Sequence, residues 1–105
     1  MKARDMHNDA GIRTGFRISS ARIGRHGVAK VAESIPGVQI VRKQARFAIQ
    51  GRDDFCEFIL DGQTFLAIEP FGDNTEFWIV AEPPAAECEQ LDQVQAAFRA
   101  HRPLF

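Results

Sequence analysis

Four carboxylates, Asp53, Asp54, Glu57 and Glu69, fall where a hairpin register gathers side chains at one end of two strands. Two carboxylates at short range push one pKa upward, which is how acid/base pairs arise. The neighbouring sequence aims no Arg, Lys or His clearly at them, and like charges opposite one another are unfavourable. Their ordinary role is a solvated strand end that discourages edge pairing. Cys56 and Cys88 are expected to meet in the core, among Phe58, Ala67 and Leu91 and flanked by the acids Glu57, Glu87 and Glu89. A catalytic thiol needs an electropositive, partly open setting and a base, so free buried thiols are expected instead. His7, His26 and His101 stand far apart in sequence without an HxH or HxxxH pattern, and no metal or other cofactor is implied.

The segment Arg22-Ile23-Gly24-Arg25-His26-Gly27, with Lys30 nearby, could cradle a phosphate at a helix start. It matches neither a P-loop nor a dinucleotide fingerprint. If the chain binds nucleic acid, the surface is expected at Arg22, Arg25, Lys30, Arg42, Lys43 and Arg46, joined by Arg13 and Arg17 and interleaved with Phe16 and Phe47. No RRM, KH, OB or helix-turn-helix signature accompanies these residues. Charge is divided unevenly along the chain. Residues 1–52 hold eleven Lys/Arg against three Asp/Glu, a balance of +8, and residues 53–105 hold two against eleven, a balance of −9. Internal or dimer complementarity accounts for such halves better than phosphate binding, which usually comes with net basic charge.

The elements that must position these residues are legible from spacing. Residues 1–11 are polar and are expected to form a loose leader, followed by a single domain over residues 12–105. Ile12 to Ser19 alternates as a short strand. Ser19 or Ser20 offers an N-cap to a helix whose stripe is Val28, Val31, Ala32 and Ile35 and which Pro36-Gly37 ends. From Val38 the period becomes two, with a phase shift between residues 40 and 41 that calls for a bulge or turn near Lys43-Gln44. Asp61-Gly62 supplies the two positive φ values of a type I′ turn between Phe55–Leu60 and Gln63–Glu69. Gly72-Asp73-Asn74 makes the next turn, and Glu76 to Ala81 is a further strand. Residues 85–101 read as a helix with the inward stripe Cys88, Leu91, Val94, Phe98 and His101. The expected fold is α+β: a helix, an antiparallel meander of about four strands and a C-terminal helix.

In that hairpin Leu60 faces Gln63, and the register runs back to Phe55 opposite Ile68. One face carries Leu60, Phe58, Phe65, Cys56 and Ala67; the other carries Phe55, Ile59, Leu66 and Ile68, interrupted only by Glu57. A sheet wetted on one side would alternate apolar with polar, so the hairpin should be central and its second face should need a cover. The chain has nine Phe and no Tyr, which favours dry contacts over a wet binding surface.

The leading expectation is therefore a small non-enzymatic binding or interaction domain, self-associating through an apolar sheet face formed by Phe55, Ile59, Leu66, Ile68 and Trp78. Its partner would be a second copy of the chain or another protein. The alternatives are nucleic-acid binding through the basic half and small apolar-ligand binding between sheet and C-terminal helix. An enzyme is disfavoured because no nucleophile, base and orienter occur at telling spacings. The five-residue apolar run Phe77–Ala81 is far too short to span a bilayer. The opening MKARDMHND is not a secretory signal, and a cytoplasmic location is expected.

Overall fold

A computed structural model describes residues 1–43, 54–70, 75–84 and 88–102. Its elements run β1 (Arg4–His7), β2 (Arg13–Ser19), a 3-10 turn (Ser20–Arg22), α1 (Gly24–Ser34), β3 (Gln39–Lys43), β4 (Asp54–Leu60), β5 (Gln63–Ile68), β6 (Glu76–Glu82) and α2 (Glu89–Ala100). The protein is an α+β fold. Its six described strands form one antiparallel sheet in the order β1-β2-β6-β5-β4-β3, so the meander β3 to β6 is extended by a second hairpin whose inner strand pairs with β6.

Asp61 and Gly62 take φ of 49° and 80°, as the primed turn requires, and the register matches the pattern from Leu60 opposite Gln63 to Cys56 opposite Ala67. Beyond that point it departs. An irregularity between Asp54 and Cys56 places Asp54, rather than Phe55, opposite Ile68. The phase shift read between residues 40 and 41 appears as an irregularity between Ile40 and Arg42, which leaves Val41 50% exposed.

The sequence-based expectation of a loose leader is overturned at residues 4–7, which form the edge strand β1. Ala3 is buried because the side chains of Gln95 and Arg99 on α2 donate to its carbonyl, at 2.9 and 3.0 Å. The Met1 amino group donates to the carbonyls of Arg99 and His101, giving the negative end of α2 a cation. The first helix is not capped by Ser19 or Ser20: Ser19 closes β2, Ser20 begins the 3-10 turn, and Ile23 precedes α1 without a side-chain cap. α2 is shorter than its pattern suggested, starting at Glu89. Cys88 is thus its N-cap rather than part of its inward stripe, and the Sγ accepts from the Leu91 amide at 3.3 Å. The turn expected at residues 72–74 and the Pro84–Glu87 start expected for the last helix fall wholly or partly outside the described residues.

Both helices cover the same face of the sheet. Phe16 and Ile18 from β2, Phe58 and Leu60 from β4, Phe65 and Ala67 from β5, and Phe77 and Ile79 from β6 join Val28, Val31 and Ala32 of α1 and Leu91, Val94 and Phe98 of α2 in one buried cluster. The rings of Phe16 and Phe98 lie 5.5 Å apart, and Phe58 stacks on Phe65 at 5.4 Å. Burying one such ring stabilises the fold by about 1.5–3 kcal/mol. Gly15 allows β2 to reach β6, since a Cβ there would stand 2.1 Å from the Ile79 carbonyl oxygen.

Candidate interaction face

The sheet's other face carries neither described helix, and its register lays side chains in rows. One row runs from Arg4 through Arg17, Trp78 and Ile68 to Asp54. The next runs Met6, Gly15, Val80, Leu66, Glu57 and Arg42, and a third runs Glu82, Thr64, Ile59 and Gln39. At the centre Trp78, Val80, Leu66, Ile68 and Ile59 are half-buried, ringed by charged side chains. The Trp78 indole donates to the Glu76 carboxylate at 2.9 Å, which turns the only tryptophan's polar edge toward that rim.

Four of the five residues expected on the apolar face, Ile59, Leu66, Ile68 and Trp78, share this open surface. Phe55 does not. The irregularity beside it turns the ring beneath the sheet, where it is 2% exposed and packs 4.7 Å from Phe77. A strand read with unbroken alternation cannot show this, because one extra residue reverses the facing of everything beyond it.

The acidic cluster expected at one strand end is divided in two. Arg42 donates to the carboxylates of Asp54 and Glu57, the latter at 3.4 Å, so two acids share one cation. Hydrogen bonding to Asp54 foremost, opposed by desolvation and aided by Glu57, raises the Arg42 guanidinium above its ordinary pKa. Glu69, 7% exposed, is paired instead with Arg25, whose guanidinium also lies 5.3 Å above the Phe55 ring. The cations absent from the neighbouring sequence come from β3 and α1. Asp53 lies outside the described residues.

The proposed basic surface is not one surface. Arg25 and Lys30 sit on α1 in the helical layer, and Arg42 belongs to the open face; both Arg25 and Arg42 are ion-paired. Arg22 falls in the 3-10 turn and Lys43 at the end of β3, while Arg46 lies outside the described residues. Lys2, Arg4 and Arg17, all exposed, border an open depression of about 310 Å³ with Ser19 and Glu76. Arg4 stands directly opposite Arg17, a like-charge pair that only pairing across two distant segments could reveal.

A second depression, about 610 Å³ and open, lies along α2 between Arg13, Asp92, Gln95 and Arg99 and is polar rather than lined by Phe. Cys56 and Cys88 are free, the first buried and the second half-buried. Among the described residues no group of three or more His, Cys, Asp or Glu side chains is arranged to hold a metal ion. No described helix is long and apolar enough to cross a membrane. The chain matches no protein-family profile, no curated protein and no solved structure.

Proposed function

We propose that this chain is a non-enzymatic interaction domain that self-associates through the open face of its sheet. The observation that carries the reading is the placement of both helices on one face, with Trp78, Val80, Leu66, Ile68 and Ile59 left at the centre of the other. A second protein layer is the usual cover for such a sheet. Size supports it: six strands spaced about 4.8 Å apart, averaging about 20 Å in length, give a footprint of about 500 Å² before the corrugation of side chains is counted. A standard interface buries about 800 Å² of accessible surface per partner. Charge supports a second copy as the occupant. The face bears Arg4, Arg17 and Arg42 against Asp54, Glu57, Glu76 and Glu82, a mixed rim suited to another mixed rim rather than to a polyanion.

Sedimentation equilibrium over a wide concentration range tests the reading. Concentration-dependent dimerisation is expected, and Leu66→Glu should disperse it while leaving the far-UV circular dichroism unchanged. A wild-type chain that stays monomeric at about millimolar concentration, where even the weakest specific complexes assemble, overturns it.

A further inference from the structure

We infer that the two copies dock about a two-fold axis running along the strands between β6 and β5, so that Arg17 of each copy meets the Asp54/Glu57 carboxylates of the other. The inference rests on the self-association reading and adds the orientation that reading leaves open.

Two open, twisted sheets that pack face to face keep their strands within about 30° of one another. A two-fold axis between them then runs either along the strands or across them. An axis across the strands sets β1 and β2 over the same strands of the partner. The rows then run in reversed order, but the edge bearing the exposed Arg4 and Arg17, beside Lys2, lies over the same basic edge of the partner, and the edge bearing Asp54 and Glu57 over the same acidic edge. Like charges brought together in an interface work against association.

An axis along the strands reverses the strand order of the partner. The order β1-β2-β6-β5-β4-β3 then places β2 over the partner's β4 and β6 over the partner's β5. This operation keeps each row at its own level. In the first row Arg17 meets the partner's Asp54 and Trp78 meets the partner's Ile68. In the second row Val80 meets the partner's Leu66, and Gly15, having no side chain, leaves room over the partner's Glu57. Basic and acidic ends of the face coincide because, among the described residues, Asp54 and Glu57 share the single cation Arg42, leaving one negative charge for an incoming cation. The depression of about 310 Å³ beside Arg4 and Arg17 is open to receive a carboxylate from the facing sheet. Every contact is made twice, as a two-fold interface demands.

Glu57 is the better of the two acids for a test, since its side chain is 28% exposed whereas that of Asp54 is 11% exposed and held by Arg42. Arg17→Glu and Glu57→Lys are each expected to weaken the dimer by about tenfold at low salt. The doubly substituted chain, and an equimolar mixture of the two single variants, should recover to within about threefold of wild type, because each restores opposite charges between β2 of one copy and β4 of the other. Association of Arg17→Glu with wild type in preference to Glu57→Lys would reveal the axis across the strands and overturn the orientation. No rescue in either combination, with Leu66→Glu still dispersing the wild-type dimer, also overturns the orientation and leaves the open-face reading intact. A wild-type monomer removes both.

Discussion

Asp54 stands opposite Ile68, and its neighbour Phe55 is turned beneath the sheet against Phe77. That single displacement gives the open face a carboxylate where unbroken alternation would put a ring. It also gives the buried face an aromatic pair. The same step supplies the acid that Arg42 holds and the ring over which Arg25 lies.

Phe55→Ala is expected to cost about 3–5 kcal/mol in urea unfolding, the range for removing a buried ring. Phe55→Leu should cost much less. Neither should alter self-association beyond the loss of folded protein, since Phe55 does not lie on the open face. A Phe55→Ala chain of wild-type stability with a weakened dimer would place the ring on the wrong side of the sheet.

Arg25→Ala leaves the Glu69 carboxylate buried without its cation, and the expected loss is about 2 kcal/mol, moderated because Arg25 itself is partly exposed. Arg25→Ala combined with Glu69→Gln should be less destabilised than the sum of the two single changes. Chemical denaturation of the four proteins in a double-mutant cycle measures the coupling, and simple additivity would show that the pair contributes nothing.

Arg42→Ala unmasks two acids at once and should cost about 1–2 kcal/mol. Because the guanidinium pKa is raised in the folded chain, its contribution is complete below the unfolded value and is lost only as pH rises through the folded one. The stability difference between wild type and Arg42→Ala should therefore stay level from about pH 6 to about pH 9. A difference that collapses within that window would assign the stabilisation to another group.

The elements legible in the sequence are those whose signals are local. Asp61-Gly62 dictates its own turn through two positive φ values, and Val28, Val31, Ala32 and Ile35 announce the buried side of α1 without any tertiary information. β1 was not legible. RDMH has no strand-like alternation, and it is held as a strand by β2 and by Gln95 and Arg99, some ninety residues away. Three members of the open face, Ile59, Leu66 and Ile68, were readable from the hairpin, whereas its basic end was not. Arg4 and Arg17 come together only through strand pairing, and the cations for Asp54 and Glu69 arrive from other elements.

The pairing of β2 with β6 has a kinetic consequence. Strands β3 to β6 are linked in sequence order, so each can zip onto its predecessor, whereas Phe16 finds Ile79 only after the intervening chain has looped back. Closing that loop carries an entropic cost that local hairpins avoid. Amides of β4 and β5 should accordingly gain protection before those of β2 in pulse-labelled hydrogen exchange, and simultaneous protection would contradict this order. Until β2 arrives, the hydrogen-bonding groups along one side of β6 have no strand to satisfy them, and a refolding chain at high concentration can recruit a neighbour's strand there instead. The same protein thus offers other chains a transient edge while it folds and a permanent face once it has folded.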